Sequence, residues 1–228
     1  MRTENQKKAG PVGIPAGVIR RLPLYHRHLS ELVQREVERV SSRELAARMK
    51  MSASQLRQDL SWFGSFGQQG YGYRVDDLLL EVNKILGLNT TNRMVLIGAG
   101  HLGRALVNYE NFYRRGFLLT TIFDHDPQII GKSINGLVVK DVAELEDFLH
   151  EQPAEIGIIT VPDFAAQEIA DLLVKGGIKG IWNFAPVSLK VPDDVCVEHV
   201  HIGESLMVLS FKIKQRASAG DAVDVEES

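Results

Sequence analysis

Three glycines, Gly98, Gly100 and Gly103, and an aspartate 21 residues beyond the last of them, Asp124, are spaced to hold a dinucleotide. Gly98 makes a tight turn, Gly100 lets the backbone approach a pyrophosphate, and Gly103 lets a helix pack on a strand. The peptide of Ala99 lies inside this clasp, and the amides of His101 and Leu102 open a helix whose positive end favours phosphate. Asp124 ends an apolar run (LLTTIFD), where an acid accepts hydrogen bonds from the adenosine ribose hydroxyls. A 2'-phosphate is repelled there and no Arg follows, so NAD(H) is expected over NADP(H). Asp126 is the fallback acid, although its place before Pro127 reads as a helix N-cap.

A second group of residues suits a different polymer. Residues 1–75 hold 13 Lys and Arg against 6 Asp and Glu, a balance of +7, while the remainder carries −10 within a total of −3. A basic third joined to an acidic remainder is the footprint of a nucleic-acid module attached to something else. Within it, Leu56 and Leu60 face a core and leave Ser54, Gln55, Arg57, Gln58 and Ser61 outward. Arg can grip guanine with two hydrogen bonds, Gln can do the same for adenine, and Ser can bind phosphate or base. Asp59 suits phosphate poorly and is expected to orient a basic neighbour. The following WFGSFGQQGYGYRV reads as a hairpin whose tip, with Gln68, Gln69 and Tyr71, reaches outward.

The elements that must position these groups follow from periodicity. An amphipathic helix is expected from Pro23 to about Arg39, with Leu24, Leu29, Leu32, Val33 and Val37 inward. Ser41 with Glu44 is a capping box for a second helix, and Ser52 with Gln55 repeats the signature for a third. Two helices so tightly joined, followed by a hairpin, make a winged helix-turn-helix. A closing helix, Asp76 to Leu86, ends at Gly87. Beyond it, strands at 94–97, 118–124, 137–139, 156–161 and 178–184 alternate with helices, the pattern of a Rossmann-type doubly wound parallel sheet. Ligands lie at the carboxyl ends of such strands, which places Thr160, Val161, Pro162 and Asn183, Phe184, Ala185, Pro186 beside the nicotinamide half, with Trp182 near them. The expected division is a polar, disordered tail over 1–12, a winged-helix domain over 13–87, a linker over 88–92 and an NAD(H)-binding domain over 93–201. A dimerisation helix over 202–216 and a disordered acidic tail over 217–228 follow.

Composition bounds the function. No apolar run reaches membrane-spanning length and the N-terminus has no export signal, so a cytoplasmic protein without membrane attachment is expected. The single cysteine, Cys196, alternates with Val195 and Val197 and reads as a small core residue. No substrate domain or catalytic base accompanies the dinucleotide fold, so no catalytic residue and no metal site is assigned. The last helix has two apolar sides, Leu206, Leu209 and Ile213 on one and Met207, Val208 and Phe211 on another. One domain cannot easily cover both, and exchange into a partner subunit would, in a two-fold dimer suited to a palindrome.

Taken in order, RQDLSWFGSFGQQGYGY, GAGHLG, FDHDP, TVP and NFAP resemble the Rex family of redox-sensing transcriptional repressors, from about Ile14 to Ile213. The resemblance implies a homodimer with a winged-helix domain, a Rossmann domain and a swapped C-terminal helix. It implies binding of a palindromic operator upstream of respiratory or fermentative genes when NAD+ prevails, and release when NADH accumulates. Tyr109 is placed at the same nucleotide site and, with the last helix, is expected to carry the coupling. Two positions depart from the family pattern. Gln68 and Gln69 stand where basic wing residues are common, and His201 stands where an acid pairs with the Arg that Arg27 matches. The ion-pair latch is therefore expected to become a His-mediated hydrogen bond or to be absent. The alternatives are a small NAD-dependent oxidoreductase with an appended basic domain, or a regulator that senses another nucleotide.

Overall fold

Apolar residues that recur at alternating steps of four and three build the first helix. The structure, a computed structural model, describes residues 14–64 and 71–221, with side chains to residue 216. Helix α1 spans Ala16–Gln34 and buries Val18, Leu22, Tyr25, Leu29 and Leu32. It starts before the expected Pro23, which sits inside it, because Val18 and Leu22 extend the apolar stripe by two turns. Pro23 cannot donate to the Ile19 carbonyl, a loss tolerated because Ile19 lies toward solvent. The helix also stops before Arg39. Glu36 takes a left-handed turn at φ 56° and Val33 faces outward. Arg39–Val40 instead form strand β1, which delivers Ser41 in the extended conformation that a helix cap needs.

Helix α2, Ser42–Arg48, opens with both bonds of the capping box between Ser41 and Glu44. Helix α3, Ala53–Ser61, opens with the Ser52 hydroxyl accepting from the Gln55 amide. Its reciprocal bond is not made, because the Gln55 side chain turns to Asp59 instead. Strand β2, Tyr73–Arg74, pairs antiparallel with β1, and residues 65–70, through which the expected hairpin runs, lie outside the described residues. Gly72 shows why this pairing demands glycine: its φ is +71° and a Cβ would sit 2.6 Å from the Val40 carbonyl oxygen. Helix α4, Val75–Ile85, packs on α1 and completes one core with Leu45, Ala46, Leu56, Leu60, Leu78 and Val82. Gln68 and Gln69, with most of the expected wing tip, lie outside the described residues, as do the N-terminal tail and residues 222–228 of the C-terminal one.

The chain divides into two compact units at Thr90 and Thr91. The second contains strand β3, Asn92–Ile97, helices α5, His101–Val107, and α6, Asn111–Arg114, and strand β4, Phe117–Asp124. Strands β5, Ser133–Ile134, and β6, Leu137–Asp141, lead through a single 3-10 turn to α7, Leu145–Glu151. Strand β7, Ile156–Ile159, helix α8, Asp163–Lys175, and strands β8, Gly180–Asn183, and β9, Cys196–His199, follow. Helix α9, Glu204–Asp221, is last and continues beyond its expected end at residue 216. The sheet order is β5-β6-β4-β3-β7-β8-β9, parallel throughout except for β5. After β3 the chain builds outward one way through β4 and β6, then returns to build the other way from β7.

Consecutive apolar residues in β3 are explained by two buried faces. Val95 and Ile97 pack with Leu145, Phe148, Ile169 and Leu173 of α7 and α8, while Met94 and Leu96 face the opposite cluster with Val107. That second face is less completely covered. At its β8–β9 side an apolar cavity of about 440 Å³ opens among Met94, Phe112, Phe117, Ile181, Trp182 and Cys196. Cys196 is exposed rather than buried, because it lies on the edge strand β9 and its side chain borders this opening. Helix α9 leaves both apolar sides open: Leu206, Met207, Val208, Leu209, Phe211 and Ile213 are each more than half exposed.

Candidate functional site

Helix α3 is held by one buried carboxylate. Asp59, fully buried, receives the Arg21 guanidinium in a two-pronged pair, Nε to Oδ2 at 2.6 Å and Nη2 to Oδ1 at 2.7 Å. The Tyr25 hydroxyl donates to Oδ2 at 2.9 Å and the Gln55 amide nitrogen to Oδ1 at 2.8 Å. Burial alone would raise the Asp59 carboxyl, but the Arg21, Gln55 and Tyr25 hydrogen bonds outweigh it and hold it below the usual carboxylate range. The hydrogen bond to Asp59 raises Arg21 in turn, and burial pushes the Tyr25 phenol well up. Sequence reasoning assigns Asp59 to a basic partner without finding which. Arg21 and Tyr25, one turn apart on α1, are the signal it misses.

On the outer side of α3, Ser54, Arg57, Gln58 and Ser61 are exposed, and Gln55 is half-buried. Arg57 is steadied by a hydrogen bond from Nη1 to the Ser42 hydroxyl at 3.1 Å, across the turn that joins α2 to α3. Ser54 shares a hydrogen bond with Ser52, and the Ser61 hydroxyl donates back to the Gln58 carbonyl at 2.7 Å. Tyr71 is exposed, its carbonyl accepting from Arg39. The preorganised groups on this face are therefore Gln55 and Arg57.

The glycine loop follows β3, where the sheet changes its direction of growth. Gly98 has φ +104°, and a Cβ there would lie 2.7 Å from the Thr160 carbonyl oxygen; a Cβ at Gly103 would collide with the Gly98 carbonyl. Around Gly100 the space is open. Two glycines thus close the loop onto its own scaffold and the middle one faces free volume, the shape a pyrophosphate requires. The Thr160 hydroxyl donates to the Gly98 carbonyl at 2.8 Å, so the β7 strand end braces the loop. Asp124 is buried at the end of β4, and its Oδ2 accepts from the Ala99 amide at 2.6 Å. Its Oδ1 accepts from the Asp126 amide at 2.9 Å. Asp126 caps the next turn through the Gln128 amide.

The remaining strand ends converge beside this loop, since β7 and β8 are the next two strands. Thr160 and Val161 are half-buried and Pro162 exposed; Phe184 is half-buried, Ala185 buried and Pro186 exposed. Asn183 is fully buried and braces its own loop. Its Nδ2 lies 3.1 Å from the Ala185 carbonyl and 2.9 Å from that of Val187, and its Oδ1 accepts from the Ala185 amide. His199 Nδ1 lies 3.1 Å from Asn183 Nδ2, and the His199 and His201 rings stack. Tyr109, Phe112, Trp182 and Phe184 form a run of edge-on ring contacts that connects the end of α5 to the β8 loop. Trp182 also borders the apolar cavity. Among the described residues no cluster suits a metal ion, and no helix is long and apolar enough to cross a membrane.

A helix-turn-helix unit and a dinucleotide-type parallel sheet on one chain define the class of a ligand-responsive transcription regulator. The family model described as "CoA binding domain" matches residues 89–187, and that described as "Putative DNA-binding protein N-terminus" matches residues 13–61. The redox-sensing transcriptional repressor Rex of Clostridium botulinum (strain Alaska E43 / Type E3) is 49% identical over 203 residues, 89% of this chain and 97% of the relative. That of Clostridium perfringens (strain 13 / Type A) is 51% identical over 199 residues, 87% and 94% of the two chains. The crystal structure of RSP, a Rex-family repressor, superposes with a TM-score of 0.86 at 46% identity, covering 92% of this chain and 98% of that one. RSP in complex with NAD+ and operator DNA gives a TM-score of 0.84 at 48% identity, covering 93% and 97%, and RSP with NADH gives 0.85 at 45%, covering 92% and 98%. The chain belongs to the Rex family of redox-sensing transcriptional repressors. It is a regulator, and the oxidoreductase alternative is set aside.

Proposed function

We propose that this chain is a cytoplasmic repressor that binds a palindromic operator while NAD+ prevails and releases it when NADH accumulates, controlling respiratory or fermentative genes. The observation that carries this reading is its 48% identity to RSP, whose structure holds both NAD+ and operator DNA. The glycine loop fits the ligand: Gly98 and Gly103 admit no side chain, and Gly100 leaves room for phosphate. Residues 98–103 hold the pyrophosphate. Asp124 holds the ribose, each oxygen keeping a lone pair beyond the amide bond it already accepts. Thr160, Val161, Pro162 and residues 183–186 border the nicotinamide. Val161, Phe184 and Ala185 make that border apolar, which disfavours the cationic ring of NAD+ relative to the neutral ring of NADH.

The bound dinucleotide supplies the signal and the protein supplies the response. Shifting a two-state protein from 1:99 to 99:1 takes a differential affinity of about 10⁴, ~5.5 kcal/mol, a load that two equivalent sites in a dimer share. The open apolar sides of α9 support exchange of that helix into a second copy. Tyr109, at the head of the aromatic run, and α9 carry the coupling. The test is operator binding at fixed total nucleotide with the NADH to NAD+ ratio varied, beside an assay of NADH consumption with common carbonyl substrates. DNA release that follows the ratio, without turnover, is expected. Ratio-independent binding or steady NADH consumption overturns the reading.

A further inference from the structure

We propose that Asp59 fixes the polarity of Gln55, so that Gln55 reads a base amino group in the operator through its carbonyl oxygen; the proposal rests on the DNA-binding reading of α3. A carboxylate offers about four acceptor positions and no donor. All four are taken on Asp59: Oδ1 accepts from Arg21 Nη2 and Gln55 Nε2, Oδ2 from Arg21 Nε and Tyr25 Oη. Gln55 must therefore turn its amide nitrogen toward Asp59, because the reverse orientation would set one acceptor against another and leave a hydrogen bond unmade. The Arg21 fork and the Tyr25 hydroxyl hold the carboxylate from the α1 side, so it cannot rotate to release the amide.

The consequence is a fixed donor and acceptor polarity at Gln55. Gln55 is in the first turn of α3, the part of a recognition helix that meets base edges. Its Oε1 makes no hydrogen bond among the described residues. An unconstrained Gln can flip, presenting either its oxygen to adenine N6 or cytosine N4, or its two N–H groups to the guanine acceptors O6 and N7. Held by Asp59, which takes one of its two N–H groups, Gln55 loses the two-donor contact to guanine and keeps its oxygen, with the second N–H beside it, for the base edge. Its amide also supports α3 from inside, so one residue both seats the helix and reads the groove.

The experiment uses the full-length protein and an operator selected by that protein from a pool of random duplexes. Binding is measured for wild type and Gln55→Ala on duplexes in which, position by position, adenine is replaced by purine or cytosine by pyrimidin-2-one, each lacking only the exocyclic amino group. A parallel series replaces purines by their 7-deaza forms, lacking only the N7 acceptor. At one position in each half-site, amino deletion should weaken wild-type binding by about 2- to 10-fold more than it weakens Gln55→Ala, the size of a single neutral hydrogen bond. Amino coupling at that position, with or without coupling to N7, upholds the proposal, since a two-bond contact to adenine keeps the same polarity. Coupling to N7 alone, or no amino coupling anywhere in the half-site, overturns it, and wild-type binding that no amino deletion weakens overturns it even if the variant folds poorly. Failure of the wild-type protein to select any duplex would instead remove the DNA-binding reading on which the proposal stands.

Discussion

Arg57 and Asp59, two residues apart on α3, illustrate opposite uses of charge. Arg57 is exposed and, among the described residues, is tied only to the Ser42 hydroxyl, so its guanidinium keeps donors for DNA. Arg57→Ala should cost about 1 to 3 kcal/mol of operator affinity and relax selectivity at one base position, measured by titration against single-base operator variants. Asp59 is buried and saturated. Removing it leaves Arg21 and Tyr25 without their acceptor, so Asp59→Ala should destabilise the first unit by roughly 2 to 4 kcal/mol, less than a wholly buried pair because the Arg21 side chain is 34% exposed. The folded carboxyl lies below its unfolded value, so its contribution is fully present above the unfolded pKa, about pH 4, and is lost as pH falls through the folded value. Denaturant midpoints recorded from pH 7 to pH 2 should show wild type converging on Asp59→Ala at the acid end.

Among the elements, the glycine loop and α5 act as one unit because no side chain separates them. A methyl group at Gly103 would overlap the Gly98 carbonyl and crowd the Thr160 hydroxyl at 3.1 Å. Gly103→Ala must push α5 away from β3 and move the amides of His101 and Leu102 with it. NADH affinity should fall by tenfold or more while the first unit stays folded, which fluorescence titration of NADH together with circular dichroism will check. Unchanged NADH affinity would show that the loop tolerates the displacement. Helix α1 teaches a related lesson about Pro23. A proline whose missing donor falls on the solvent side interrupts one hydrogen bond without ending the helix, provided an apolar stripe continues beneath it.

The whole molecule poses the question of what covers α9. Burying a large apolar side chain contributes about 1.5 to 3 kcal/mol, and six such residues stand open on this one helix. That surface is far more than an isolated chain would leave in water, so the helix is expected to be buried against a second copy. Truncation before Gly203 should give a monomer or an aggregate by sedimentation; a well-behaved dimer after truncation would refute the role of α9. Two linked copies also supply the two recognition helices that a palindrome needs.

Local chemistry makes most of the chain legible in its amino-acid order. The capping box at Ser41, the glycine spacing at 98, 100 and 103, and Asp163–Lys175 as a helix each depend on residues within a few positions of one another, where spacing alone determines which groups can meet. The doubly wound sheet is equally legible, because alternating apolar runs and amphipathic segments admit few other packings. Long-range meetings are settled only by the folded chain. The pairing of β1 with β2 joins residues more than thirty positions apart, and Asp59 finds Arg21 at a separation of 38. Cys196 carries an alternating pattern that reads as core, yet its strand lies at the sheet edge and its side chain stays exposed. Periodicity states which residues share a face; whether that face is covered depends on the neighbours that the fold brings to it.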